Sequence, residues 1–179
     1  NYLRQPDPAE LIIMKTLTEH LSQYALYHRD ERNILTHYAG IPLIVVAIFG
    51  LLWWPLFSVA GIAVTPSLLL LLASLLFYFR LDVRYGLVML VFSGTCFALA
   101  AKLTEQSDAL WLGGSVALFV VGWILQFIGH YYEGKKPAFV DDLVGLFVGP
   151  LFIMVELSFK LGFRKSLQQD IEQIAGKTH

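Results

Sequence analysis

The chain has 179 residues, of which 56% are hydrophobic and 15% are charged, and its formal net charge is −1. A soluble domain of this size could not bury so much apolar surface, so the composition indicates a membrane protein. The near-neutral charge gives no reason to expect a nucleic-acid partner. The single cysteine, Cys96, lies inside an apolar run, so an intramolecular disulfide is excluded and we expect a small packing residue there.

The N-terminal segment 1–40 is predicted to form an amphipathic helix and a histidine-bearing turn on the cytosolic side of the membrane. Residues 7–28 place apolar side chains at helical spacing, and His28 ends this stripe. Asn33 is a candidate N-cap for a new helical turn that carries His37. Nine residues on one unbroken helix rotate by about 900°. On such a helix His28 and His37 would face opposite sides, so they converge only if the helix breaks between them.

Four apolar runs follow, and each is a candidate transmembrane helix. They are residues 41–63, 66–79, 85–101 and 109–129. The second run is short for about 30 Å of hydrocarbon, so the flanking Arg80 is expected to snorkel. A fifth run, residues 143–163, is interrupted by Pro150 and carries Glu156. It predicts a broken, re-entrant or surface-lying helix, and a polar, solvated helical tail follows it.

The expected fold is therefore an all-α, polytopic membrane bundle with about four transmembrane helices. An N-terminal amphipathic helix precedes the spans, and a broken helix follows them. We expect one membrane-embedded domain for residues 1–179. Its parts are the cytosolic segment 1–40, the spans in 41–129, a site loop and broken helix in 130–163, and the tail 164–179.

Lysine and arginine residues predict the orientation of the spans. They lie before the first run, between the second and third, and after the fourth: Arg29, Arg32, Arg80, Arg84, Lys135 and Lys136. The alternate loops hold only Lys102. The positive-inside rule then places both ends of the chain in the cytosol, together with His28, His37 and His130. A site at this end would face the cytosol from a bacterial inner membrane or a eukaryotic endoplasmic reticulum.

The end of the fourth run adds polar residues to these histidines. Gln126, His130 and Glu133 recur at i, i+4 and i+7, so they share one helical face. Polar groups at the end of a span normally face the bundle, and imidazole and carboxylate ligands suit iron or zinc. The sequence therefore predicts a metal site. Its expected ligands are His28, His37, His130 and Glu133.

Other polar residues have simpler interpretations. A single interfacial histidine is more often hydrogen-bonded than metal-bound; His20 is expected to face solvent and His179 to be disordered. Glu133 has an alternative partner in Lys136, at i+3. An unpaired carboxylate is costly inside an apolar run, so Glu156 is interpreted as a partner for a ligand histidine or a helix end.

Three segments of the chain, in this order, resemble the Mpo1-like family: YHRDERNILTH, QFIGHYYEGKKPAF and GPLFIMVELSFKLGF. The residues that match the family pattern are Tyr27, His28, Asn33, His37, Gly129, His130, Glu133, Pro137, Ala138, Pro150 and Glu156. The resemblance implies an Fe(II)-dependent dioxygenase that shortens long-chain 2-hydroxy fatty acids by one carbon. Its expected catalytic residues are His28, His37 and His130. The residues expected to surround them are Tyr27, Asn33, Gln126 and Glu156.

The implied reaction balances without a reducing cofactor. A 2-hydroxy acid and O2 give the acid one carbon shorter, CO2 and water, so the substrate supplies all the electrons. The sequence holds no dinucleotide or P-loop motif. A membrane catalyst suits this substrate because the acyl chain stays among lipid tails while the carboxylate and hydroxyl reach a metal at the interface.

Three other functions are alternatives to the dioxygenase, and the sequence argues against two of them. A membrane di-iron hydroxylase or desaturase needs many more histidines than the four that precede His179. A transporter would need rows of charged residues inside the spans, which the runs lack. A non-enzymatic metal- or lipid-binding membrane protein is the main alternative, and metal analysis with an oxygen-uptake assay separates it from the dioxygenase. The sequence carries no signal for the oligomeric state.

Overall fold

The fold is built from α-helices, as a computed structural model shows for residues 15–140 and 142–179. The helices of this part are α1 (Leu17–Ala25), α2 (Glu31–Leu51), α3 (Pro66–Leu81), α4 (Val83–Thr104), α5 (Asp108–Glu133), α6 (Gly145–Lys160) and α7 (Lys165–Ala175). An antiparallel hairpin of β1 (Phe57–Val59) and β2 (Ile62–Val64) follows α2, and a 3₁₀ turn (Ala138–Val140) precedes α6. The expected all-α class is confirmed.

Three helices in this described part, α2, α4 and α5, are long and apolar enough to cross a membrane. The bent α6–α7 pair would be a fourth if it forms one broken span, and α3 is apolar but shorter. Large side chains such as Val91 on α4 and Phe127 on α5 are more than half exposed, as lipid-facing residues are. Cys96 packs beside Phe49 and Ala100, which confirms its expected packing role. The fold is consistent with a multi-pass membrane protein.

The first described helix, α1, begins with a capping box. The Thr16 hydroxyl accepts a hydrogen bond from the Glu19 amide, and the Glu19 carboxylate accepts one from the Thr16 amide. Residues 7–14 of the predicted helix lie outside the described residues. His20 is buried and meets Phe77 of α3 edge-on, with ring centroids 5.7 Å apart. Its expected solvent exposure is wrong because α6 and α7 also pack on α1.

The predicted break between His28 and His37 is confirmed. α1 ends at Ala25 and α2 begins at Glu31, so His28 lies in the connection. The predicted cap at Asn33 is wrong, because the Asp30 side chain accepts a hydrogen bond from the Arg32 amide and caps α2. Asp30 is the first polar residue able to cap after the turn, so the helix starts there and Asn33 lies within its first turn.

The first predicted run covers residues 41–63, and its C-terminal half is not helical. α2 ends at Leu51, residues 52–56 are irregular, and the β1–β2 hairpin follows from Phe57 to Val64. The hairpin turns at Ala60 and Gly61, whose φ angles are +51° and +82°. Two successive residues with positive φ form the type of turn that matches the twist of paired strands. The predicted span is therefore too long, because apolar composition alone does not distinguish a helix from an apolar hairpin.

The predicted interruption at Pro150 is also wrong. Pro150 lies inside α6, which continues from Gly145 to Lys160. A proline removes one helical hydrogen bond, and membrane helices tolerate this where neighbouring groups compensate. The break in the C-terminal helix falls instead before α7, which is bent by 117° from α6. Gly162 and Arg164 adopt positive φ angles at this bend.

The C-terminal tail packs on the helix break near His28. Leu167 and Ile171 of α7 are buried, and α7 contacts α1. The His179 amide donates a hydrogen bond to the Arg29 carbonyl at 3.0 Å, and the Glu31 amide donates to the His179 carbonyl at 2.9 Å. The expected disorder of His179 is therefore wrong. His179 is nonetheless exposed.

Close packing of α2 against α5 brings two of the histidines together. A Cβ atom added at Gly122 would lie 2.6 Å from the Ile44 side chain, and one added at Gly129 would overlap Asn33. Glycine is therefore needed at both positions for this approach of the two helices. His37 near the start of α2 then faces His130 near the end of α5.

Candidate metal centre

Three histidines form the centre of the candidate site. One side-chain nitrogen of each lies within 4.8 Å of the others, and His28, His37 and His130 are all buried. The ring centroids are 4.6 Å apart for His28–His37, 4.9 Å for His28–His130 and 5.1 Å for His37–His130. The structure thus brings together three of the four residues that the sequence predicts as ligands.

Backbone carbonyls orient two of the three rings. Nδ1 of His28 donates to the Tyr24 carbonyl at 2.9 Å, and Nδ1 of His37 donates to the Asn33 carbonyl at 2.8 Å. Each acceptor is one helical turn earlier in the chain. A neutral imidazole that donates from Nδ1 presents a lone pair on Nε2.

The two presented lone pairs face each other. Nε2 of His28 and Nε2 of His37 are 3.1 Å apart. Two unprotonated nitrogens at this distance repel unless a cation or a shared proton lies between them. Nδ1 of His130 is also buried and has no hydrogen-bond partner among the described residues. This donor set fits a divalent metal ion that prefers imidazole ligands.

Burial keeps the His28 imidazole neutral. The pKa of His28 is well below its ordinary value because the ring is desolvated, and the neighbouring His37 lowers it further. Metal binding requires the neutral form, so protons compete only weakly with a metal here. Beside it, the hydrogen bond from the Arg32 side chain lowers the pKa of Asp30 to about 2, which keeps the α2 cap ionised.

Glu133, the fourth expected ligand, contacts the helix break rather than the three ring nitrogens. Its carboxylate accepts hydrogen bonds from the Arg29 amide at 2.9 Å and from the Asp30 amide at 2.8 Å. The Asn33 side chain donates to it at 3.0 Å. The carboxylate thus satisfies backbone donors of the connection that carries His28, and joins this connection to the end of α5.

A buried ion pair supports the other side of the same connection. Arg29 donates from Nη2 to the Glu156 carboxylate at 3.1 Å, and both side chains are nearly inaccessible to solvent. Arg29 also donates to the carbonyls of Ala25, His28 and Gly176. Glu156, which was expected near a ligand histidine or helix end, therefore reaches His28 through Arg29.

Arg29 and Tyr24 are functional candidates that sequence reasoning missed. The sequence indicates Arg29 only as a charge that sets orientation, although the cost of an unpaired Glu156 is a signal that a cation lies nearby. The Tyr24 ring stacks on His28, with centroids 4.2 Å apart and an angle of 2° between the planes. The expected neighbour Tyr27 contributes its carbonyl, which accepts a hydrogen bond from Asn33 at 3.2 Å.

A cavity of about 240 Å³ begins at the histidines. His37 and His130 line its inner end, and it continues between α2, α5 and α6 past largely apolar side chains. Gln126, which was expected beside the ligands, is buried in its wall one turn before His130. The site therefore joins a polar, metal-competent end to an apolar compartment.

Comparison with known proteins identifies the family. Residues 14–161 match the family described as 2-hydroxy-palmitic acid dioxygenase Mpo1-like. The chain belongs to the Mpo1-like family. It is 30% identical over 159 residues to the 2-hydroxy-palmitic acid dioxygenase MPO1 of Saccharomyces cerevisiae, a match that covers 87% of each chain. No solved structure matches it. The resemblance stated from the sequence is confirmed, and the three histidines lie inside the matched region.

Proposed function

We propose that this member of the Mpo1-like family is an Fe(II)-dependent dioxygenase of long-chain 2-hydroxy fatty acids. It converts the acid and O2 to the fatty acid one carbon shorter, CO2 and water. The observation that carries the proposal is a cluster of three converging, buried histidines, two of which line the end of an apolar cavity. The dioxygenase name of the yeast relative supports the same reaction class.

His28, His37 and His130 would hold the iron. Nitrogen ligands suit Fe(II), and a site with only three protein ligands leaves positions for small molecules. When bound, Fe(II) supplies the one-electron chemistry that lets O2 react with a closed-shell hydroxy acid. Glu133 is proposed as a group that positions His28, since its oxygens already accept hydrogen bonds from the helix break.

The surrounding residues position the ligands and exclude water. Tyr24 and Phe152 pack against the His28 ring and shield it from solvent. The carbonyls of Tyr24 and Asn33 hold two rings in the tautomer whose second nitrogen is free. The cavity takes the apolar part of the substrate, so its carboxylate and hydroxyl lie at the histidines.

The site is proposed to face the cytosol. The histidines lie at the end of the bundle that carries Arg29, Arg32 and Lys135, and positive charge favours the cytosolic side. A long-chain acid in the membrane would enter with its carboxylate at this interface. Cysteine-accessibility labelling near Arg32 and Lys135 tests the assignment, and labelling from opposite sides of the membrane would overturn it.

The reaction is tested on protein purified and loaded with Fe(II) under anaerobic conditions. Addition of O2 and 2-hydroxypalmitate should consume O2 and release CO2 and pentadecanoate in equal amounts. Palmitate, which lacks the hydroxyl, and protein loaded with Zn(II) serve as controls and should show no O2 uptake. Iron binding without O2 uptake would contradict the proposal and favour a non-enzymatic metal- or lipid-binding protein.

A further inference from the structure

Two parallel rows of side chains lead away from the histidines into the membrane. On α2, His37 is followed by Ile41, Ile44 and Ile48, at i+4, i+7 and i+11. On α5, His130 is preceded by Gln126, Trp123 and Phe119 at the same intervals. This spacing keeps each row on one face of its helix. Because the two helices pack side by side, these rows form two neighbouring walls of the cavity that begins at the histidines, and α6 completes it.

A second cavity lies next to the first. It has a volume of about 250 Å³ and is lined by α2, α3, α4 and α6. The two cavities share four wall residues, Val45, Ile48, Leu146 and Pro150. These four residues therefore lie between the cavity at the histidines, here called the inner compartment, and the second cavity deeper in the bundle, here called the outer compartment.

The combined dimensions of the two cavities fit a long acyl chain. Each cavity alone is smaller than typical ligand pockets, which measure roughly 300–1,000 Å³, and together they reach that range. Ile48 lies eleven residues beyond His37, which is about 16 Å along a helix. This is roughly the thickness of one leaflet of a 30 Å hydrocarbon core.

A buried amide lies at the histidine end of the inner compartment. Gln126 is 5% exposed, and its Nε2 has no hydrogen-bond partner among the described residues. A buried amide without a partner is costly, so a ligand with an acceptor atom would be favoured there. The Tyr24 ring lines the same compartment beside His28. The cavity is thus polar at one end and apolar at the other.

We propose that the two cavities form one tunnel that holds the acyl chain of the substrate and selects substrates by the length of that chain. The Gln126 side chain turns away from Gly40 and donates from Nε2 to the carboxylate or hydroxyl of the 2-hydroxy acid, and long chains pass between Ile48 and Leu146 into the outer compartment. Short chains end in the inner compartment. This inference rests on the proposed function for the identity of the acid, whereas the path of the chain is independent of catalysis.

Photo-crosslinking locates the chain without turnover. The probe is 2-hydroxypalmitate with a diazirine on its terminal carbon, added to the anaerobic, metal-loaded full chain. Crosslinks are expected on residues of the outer compartment, such as Leu70, Phe92 and Ser93. The terminal carbon of a 2-hydroxydecanoate probe should instead label the inner compartment. Crosslinks confined to the separate outward groove beside Leu43 and Met154 would overturn the tunnel.

Substitutions between the two compartments test the selection for chain length. Ile48→Phe should lower the kcat/KM for 2-hydroxypalmitate at least tenfold and leave that for 2-hydroxydecanoate within twofold. Leu146→Trp should act in the same direction and is a second, tolerant variant because Leu146 is 49% exposed. Leu43→Phe, on the same helix but outside both cavities, is the matched control and should preserve both substrates.

The outcomes separate the tunnel from the proposed function. Parent-like turnover and crosslinking of the long acid in folded Ile48→Phe and Leu146→Trp would overturn the tunnel, even if the reaction is confirmed. Crosslinks in the outer compartment without any turnover would support the tunnel and contradict the reaction. Gln126→Met should raise the KM for 2-hydroxypalmitate at least tenfold with kcat nearly unchanged, and an unchanged KM would remove Gln126 from the tunnel.

Discussion

The two ends of α2 are built in opposite ways. Its N-terminal end buries His37 and Asn33 and lies against the Arg29–Glu156 ion pair. Its C-terminal end leads to a hairpin whose apolar side chains, such as Phe57 and Ile62, are more than half exposed. Burying polar groups destabilises a fold unless each is paired, whereas exposed apolar groups cost little in a membrane. The concentration of buried polar groups at one end therefore marks the functional end.

Loss of one histidine should have the largest effect. His130→Ala removes one of three candidate ligands, and its effect on activity should exceed the roughly 100-fold loss that substitutions around ligands produce. Iron content and O2 consumption with 2-hydroxypalmitate measure the effect. His179→Ala, whose side chain is exposed, is the control and should be near the parent. A His130→Ala protein that retains iron and activity would refute the ligand assignment.

Breaking the buried ion pair should be the next largest effect. Arg29→Met leaves the Glu156 carboxylate buried without its cation. Removal of one partner from such a pair typically costs about 3–5 kcal/mol of unfolding free energy. Denaturation in mixed micelles measures it, and the double variant Arg29→Met/Glu156→Leu should recover part of the loss. Equal stability of the two variants would show that the pair does not act as a unit.

Substitution of Glu133 should have an intermediate effect and separates its two possible roles. Glu133→Gln keeps an acceptor oxygen but loses the charge that strengthens the hydrogen bonds from the Arg29 and Asp30 amides. Activity should fall by about 10–100-fold while iron is retained. Iron content by elemental analysis is the deciding measurement. Loss of iron comparable with that of His130→Ala would identify Glu133 as a ligand.

A smaller effect is expected where α2 packs on α5. Gly122→Ala places a methyl group against Ile44, so we expect a loss of about 1–3 kcal/mol and weaker metal binding. Gly113→Ala on the same helix meets open space and should be neutral or slightly stabilising. Thermal unfolding and iron affinity of this pair of variants distinguish helix packing from a general effect of alanine. Equal stability and iron affinity of Gly122→Ala and Gly113→Ala would contradict the close approach of α2 to α5.

The histidine cluster was predictable because it depends on composition and topology. Polar, ligand-type residues at the same end of several spans face the bundle because exposing them to lipid is costly. The spacing of His28 and His37 predicted the helix break between them. The family resemblance added the reaction that the residues alone leave open. These inferences needed no knowledge of how the break itself is held.

The support of the cluster was less predictable because it depends on contacts between distant residues. Glu133 shares a helical face with His130, but its hydrogen bonds go to backbone amides more than 100 residues earlier. Backbone donors have no sequence signature. Similarly, the apolar run 41–63 does not show that Ala60 and Gly61 form a turn, and Pro150 suggests a break that neighbouring helices prevent.

The smallest effect is expected at the opposite end of α2, which gives the comparison its control. Phe57 and Ile62 are exposed on the hairpin, so Phe57→Ser and Ile62→Ser should change unfolding free energy by no more than about 0.5 kcal/mol. Iron affinity and the rate with 2-hydroxypalmitate should match the parent, because neither residue touches the cavities or the histidines. Membrane partitioning of both variants should be measured alongside, since the hairpin side chains suit the lipid interface. A tenfold loss of activity in folded hairpin variants would show that function is not confined to the histidine end.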